Sequence, residues 1–332
     1  MLHRATSIVA RRVLLAPMPS ARCMSAYAPN IEDIKKLRSA SQAPMGDVKK
    51  ALVASEGDFD AAYEWLRKKG IATATKKAGR VAAEGLVGLF VDSDKKRGAI
   101  VEMNSETDFV ARNEQFQALL ADITRTVHAD SAFIGNYDTA ALNVLSLNDR
   151  NVGDFIPELI GRVGENLVLQ RATTVAVTRG VVAQYVHRVA SASLNLGQAG
   201  ALVGLEVSKE LSEAERVELE AVGKKLAMHI VAAKPRFLNR ESVPADRVAA
   251  ERAFVLEQVA EQAKSKPANV VEKMVDGRMN KFFGEVTLID QQHLVEEGSP
   301  KVSVVLDKAA AKLGTTISLT AFQRYEIGEE QL

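Results

Sequence analysis

Between residues 31 and 70 apolar side chains recur at helical spacing three times: Ile31, Ile34 and Leu37, then Met45, Val48 and Leu52, then Phe59, Ala62, Tyr63 and Leu66. Stripes of that period predict three short helices. Gly57 suits a helix end, Asp58 the N-cap that follows, and Gly70 the end of the third helix. A bundle of about 40 residues buries little and is marginal by itself. Residues 71–84, rich in Ala, Thr, Lys and Gly without clear periodicity, read as a linker.

From residue 85 the pattern changes. Residues 86–91 form a strand, 92–98 a polar turn and 99–103 a returning strand, giving a hairpin. A helix over 114–127 follows, with Phe116, Leu119, Leu120, Ile123 and Val127 on one face. The pattern recurs downstream: strand 181–189, loop 190–198, strand 199–207, then a helix opened by Ser212 and Glu215. Those two form a capping box ahead of Leu219, Val222, Leu226 and Ile230. The fold class is therefore α+β, a duplicated hairpin-plus-helix core with subdomains at 85–150 and 151–244. Helix 152–163 and strand 167–177 link the halves. Residues 245–284 predict two helices joined near Pro267, a short connection that implies an antiparallel helical hairpin. The segment 285–332 returns to helix (302–313) and strand (316–327), which completes a core sheet.

A length of 332 residues suits two or three domains, and 47% hydrophobic residues support their cores. Apolar runs are too short to span a bilayer. The formal charge of +1 hides an asymmetry. Residues 1–31 hold Arg4, Arg11, Arg12 and Arg22 and no acid, and setting those four aside turns the balance to −3. An arginine-rich, acid-poor opening interleaved with Ile8, Val9, Val13 and Leu14 reads as a mitochondrial transit peptide over 1–24, with the matrix as destination; a plain disordered basic tail is the alternative. A cut before Ser25, three residues after Arg22, would also remove Cys23, the only cysteine. The remaining chain would then have no disulfide, thiolate metal site or cysteine nucleophile.

The candidate chemistry lies at Asn104-Ser105-Glu106-Thr107-Asp108-Phe109-Val110-Ala111-Arg112-Asn113, between a strand and a helix, where side chains reach partners. Taken alone, Asp108 reads as a helix cap and Phe109 as a core anchor. The ten residues resemble the N-C-E-T-D-F-V-A-R-N signature of the translation elongation factor Ts family, with Ser105 where cysteine is common. Other segments resemble the family in the same order: Met45 to Leu52, Gly164-Glu165-Asn166, Gly200 to Val203, Met228 to Pro235, and Glu272 to Met279 with Lys281 and Phe282. The resemblance spans about residues 31–329. It implies a ubiquitin-associated-like module at 31–70 and binding to the GTPase elongation factor Tu, whose GDP the family expels. Bacterial members continue into a further helix beyond the point matched by Leu332, and its absence here resembles the mitochondrial members, which implies mitochondrial elongation factor Tu as the partner. By the same resemblance Thr107, Asp108, Phe109 and Val110 disturb the GTPase's Mg²⁺ and phosphate site, and Lys49, Lys50 and His229 are secondary contacts. No cofactor, bound metal or catalytic residue is implied. The loop 188–198 departs from the family, with Gln198 and Ala199 where glycine-arginine-isoleucine is typical.

Other readings are weaker. No G-x-x-x-x-G-K-[ST] loop exists, so the chain itself is not expected to bind GTP. His128, His187 and His293 lack metal spacing. Ile160 to Glu165 mimics a KH-type G-x-x-G loop without the basic excess of an RNA binder. The competing function is a ubiquitin-binding adaptor built on 31–70, only partly supported by Ala43-Pro44-Met45-Gly46.

Overall fold

The computed structural model describes residues 27–130, 134–263 and 267–329, so the transit-peptide reading lies outside the described residues. The chain divides into two compact units, Met1–Leu66 and Arg67–Leu332. The first holds α1 (Ile31–Ser41), α2 (Met45–Ala54) and the start of α3 (Phe59–Lys77). Asn30 caps α1 by accepting from the Asp33 amide at 2.7 Å. Leu37, Val48, Ala51, Leu52 and Ala62 close its small core, with Trp65 and Leu66 against them.

Gly70 does not end α3; the helix runs on to Lys77 through residues read as a linker. The cause lies in packing within the second unit. A side chain at Gly70 would bring its Cβ within 3.1 Å of the Pro157 carbonyl oxygen, and one at Gly161 within 3.0 Å of the Gly70 Cα. The two glycines permit close helix-to-helix approach, which outweighs the roughly 1 kcal/mol propensity cost of glycine in a helix.

The second unit continues with β1 (Glu84–Val91), β2 (Arg97–Ser105), α4 (Asp108–Ala111), α5 (Glu114–Ala129), β3 (Gly135–Tyr137), α6 (Thr139–Val144), β4 (Ser146–Leu147), β5 (Arg150–Asn151), α7 (Val152–Val163) and β6 (Leu167–Ala176). Then come β7 (Gly180–Ser191), β8 (Leu196–Val207), α8 (Glu213–Ala233), α9 (Ala245–Ala263), α10 (Ala268–Val286), α11 (Val302–Leu313) and β9 (Ile317–Glu326). The capping box at the start of α8 is present in both directions.

Seven strands form one sheet in the order β3-β6-β2-β1-β8-β7, with β9 paired to β8. The sequence reading put β6 in the second subdomain; it pairs with β2 from Arg97↔Ala176 to Ser105↔Leu167 and so belongs to the first half. The halves join narrowly, at Val87↔Gly197 and Gly88↔Leu196. Apolar residues from both halves meet in one cluster: Val87, Leu89 and Ile100 with Val182, Leu202 and Tyr325. The sheet is therefore folded over on itself. Glycine makes the close stacking possible, since a Cβ at Gly200 would sit 2.5 Å from Leu89 Cδ1. The outer faces are covered by helices, one half by α5 and α7 and the other by α8 and α11. The hairpin of α9 and α10 closes on Val255, Val259, Val275 and Met279. Its base is tied by Arg240, whose guanidinium donates to both Asp290 carboxylate oxygens at 2.8 and 2.9 Å.

Candidate functional site

The end of β2 delivers the chain into a tight tip. Thr107 is extended (φ −130°) and stands at the N-cap position of the single turn α4 without a side-chain capping bond; the turn opens on Asp108 and closes on Ala111. Val110 and Ala111 turn inward, 8% and 5% exposed, and join the core beneath α5. Phe109, between them and Asp108, faces the other way and is 78% exposed. Leaving a phenylalanine in water forgoes about 1.5–3 kcal/mol of burial. Asp108 is half-buried and accepts from Arg112 Nη2 at 2.7 Å, across one helical turn.

Two carboxylates hold this tip to the turn after α7. Glu165 accepts from the Thr107 amide at 3.0 Å and the Thr107 hydroxyl at 2.7 Å. In return Glu106 accepts from the Asn166 amide at 2.6 Å, while Asn166 Nδ2 donates to the Arg80 carbonyl at 2.8 Å. Downstream, Asn113 caps α5 by accepting from the amides of Gln115 and Phe116. The exposed pair thus stands on a backbone fixed from both ends. Replacing Glu165 by alanine should cost about 1–2 kcal/mol of stability through the lost charge-assisted bonds. A thermal melt checks this, with Glu165→Gln restoring part of the stability.

A cleft of about 380 Å³ beside the tip is lined by Asp108, Arg112, Gly85, Arg188, Val189 and Gln198. The segment 188–198 that departs from the family pattern therefore borders the tip; it is not the loop expected over 190–198, since β7 runs to Ser191 and β8 starts at Leu196. A neighbouring cleft of about 370 Å³ shares Arg188 and Gln198 and adds Tyr185, His187 and Met228. The sequence reading treated His187 only as lacking metal spacing. Strand alternation through Tyr185, which contacts its ring nitrogen at 3.2 Å, is the signal that it shares a face with a second aromatic.

His229 does not behave as a surface contact. It is fully buried on α8, its Nε2 lies 3.0 Å from Gln291 Oε1, and its Nδ1 accepts from the Leu294 amide at 3.2 Å. His293 stacks on it at 5.0 Å. Burial, and then the charge of His293, lower its pKa to about 4, so it is neutral at physiological pH. The helical spacing placed His229 at the flank of the apolar face; the segment 287–294, far away in sequence, covers that flank. Lys49 and Lys50 are exposed on α2 of the first unit. Among the described residues no group of three or more His, Cys, Asp or Glu side chains could hold a metal ion, and no helix is long and apolar enough to cross a membrane.

Residues 106–329 match the family described as Elongation factor TS, more than half of the chain and including the tip. The chain belongs to the elongation factor Ts family. It is 43% identical over 296 residues to the Elongation factor Ts of Paramagnetospirillum magneticum, a match covering 89% of this chain and 90% of that one. The Elongation factor Ts of Rhodospirillum centenum is 41% identical over 298 residues, 89% and 92% of the two chains. That of Sphingopyxis alaskensis is 43% identical over 296 residues, 89% and 91%. These elongation factor Ts relatives are bacterial, and the matches cover nearly the whole length of both partners.

Proposed function

We propose that this chain is the guanine nucleotide exchange factor of mitochondrial elongation factor Tu, acting in the mitochondrial matrix after residues 1–24 are removed. Membership of the elongation factor Ts family supports exchange on elongation factor Tu; the arginine-rich opening supports the compartment. One observation carries the site: Phe109 is held in water beside Asp108 on a doubly clasped turn. Bound nucleotide in a GTPase is retained by phosphate contacts and by a Mg²⁺ bridging phosphate oxygens. A rigid aromatic and carboxylate pushed against the elements that hold the ion removes large electrostatic terms, and GDP leaves. No covalent bond changes, so the role needs no general acid or base. Thr107 and Val110 set the backbone of the displacing pair. Lys49 and Lys50 on α2, in a three-helix module of ubiquitin-associated type, are secondary contacts. Burial withdraws His229 from that set.

Linkage bounds the energetics. A thousandfold loosening of GDP requires about 4 kcal/mol of opposed binding energy, which an interface of standard size supplies. The test is release of fluorescent GDP from mitochondrial elongation factor Tu by residues 25–332. Acceleration by substoichiometric amounts supports the reading; a folded protein that leaves the rate unchanged sinks it. Import of the full chain into isolated mitochondria, with loss of its opening segment, tests the location.

A further inference from the structure

Away from the tip, a cleft of about 610 Å³ opens where β6, β9, the connection after α8 and the first turn of α9 converge. Five cations line it: Arg171 from β6, Lys234 and Arg236 from the connection, Arg247 from α9 and Arg324 from β9. Three carboxylates answer them. Glu102 takes Arg171 Nε at 2.6 Å, Glu326 takes Lys234 and Arg324, and Glu329 also takes Arg324.

The remainder is positive and has vacant donors. The Arg171 guanidinium lies over the Tyr325 ring at 4.1 Å, and its buried Nη2 finds no hydrogen-bond acceptor among the described residues. A buried guanidinium N–H left unpaired is costly unless something fills its site. Arg247 rests on the face of Phe237 at 5.9 Å and forms no ion pair among the described residues. Nor does the exposed Arg236 side chain, although its backbone is fixed by a 2.9 Å bond to the Val286 carbonyl. Planar forked donors that converge from several elements match tetrahedral oxyanions better than single carboxylates do. The apolar walls, Pro235, Phe237, Pro244 and Phe322, make the cleft large enough for more than one phosphoryl group.

We infer that this cleft, in which Arg171, Arg236 and Arg247 carry the donors that the three carboxylates leave vacant, is a binding site for a polyphosphate anion, separate from the exchange tip. Such a ligand could be a bare polyphosphate or the phosphate chain of a nucleotide; the chemistry recognised is the same. Arg171 is oriented by Glu102 and supplies the buried donor, while Arg236 and Arg247 close over the ligand from the solvent side.

Isothermal titration of the full chain with inorganic tripolyphosphate, and in a second arm with adenosine triphosphate, tests this. The expected result is saturable binding in the micromolar to low millimolar range that weakens as salt is raised. Arg236→Ala combined with Arg247→Ala should weaken it at least about tenfold with an unchanged melting temperature, because both side chains are at the surface. A tighter fit for the nucleotide than for tripolyphosphate assigns a role to the aromatic walls; equal affinity assigns recognition to the phosphates alone. Absence of saturable binding by the folded wild type, or equal binding by the double variant, overturns the inference. Arg236→Lys with Arg247→Lys, which keeps the charge but loses the forks, should recover only part of the affinity.

Discussion

Phe109→Ala should slow exchange on elongation factor Tu by about 30-fold or more while leaving the melting temperature where it is. The two halves of that expectation have separate causes. Truncating a buried aromatic at the centre of an interface typically costs at least about 2 kcal/mol of binding, and about 2 kcal/mol is a factor of roughly 30. Stability is insulated because the ring is 78% exposed in the free chain, so its removal opens no cavity. Asp108→Ala in the same background loses only an exposed pair with Arg112 across one helical turn, a term within about 0.5 kcal/mol. GDP-release kinetics set beside thermal melts of each variant separate the outcomes. A melt that collapses with Phe109→Ala would return the residue to the core; unchanged exchange would move the displacing contact elsewhere.

Acidification from neutral pH should weaken the second unit before most of its carboxylates are protonated. His229 has its pKa lowered to about 4 in the folded chain, first by burial and then by the charge of His293. Once unfolded, the same imidazole takes a proton at about 6.5. Between those values the unfolded state binds a proton that the folded state refuses. Stability is therefore complete above about pH 6.5 and falls as the pH drops towards 4, by about 1.4 kcal/mol per pH unit. Burial lowers the pKa of His293 as well, partly offset by Glu296 nearby, so it acts in the same sense. Urea unfolding at pH 7.5 and at about pH 5 should differ by about 2 kcal/mol. His229→Met should be less stable at both pH values but should flatten the difference; an unflattened slope would place the titrating group elsewhere.

Much of this architecture is written locally. The capping box of Ser212 and Glu215, the asparagine caps and the apolar stripes of α5, α7 and α8 depend on neighbours within a few residues. Periodicity therefore locates those elements to within a residue or two. What is not local is not legible. Gly70 carries the same symbol whether it ends a helix or lets two helices touch, and only the arrival of Pro157 and Gly161 decides between the two. Strand β6 looks the same beside either half of the core, because pairing is set by side chains more than 60 residues away, such as Glu102 against Arg171. The tip was legible as a motif. Its clasp was not, since Glu106 and Glu165 are ordinary surface acids until the turn after α7 returns to meet them. His229 failed for the same reason, as its cover comes from residues 287–294.

The position of β9 has a kinetic consequence. Strand β8 ends at Val207, and the strand that covers its second edge begins only at Ile317, after α8, the helical hairpin and α11 have been made. Until then the edge from Ala199 to Val207, rich in Ala, Leu and Val, presents unpaired backbone groups of the kind that recruit other strands. Pairing over so long a loop is slow to nucleate. A chain emerging from its N-terminus holds this edge open while about its last third is made. Its folding yield should then be governed less by the strength of the finished core than by how well one strand is shielded while the chain waits for its end.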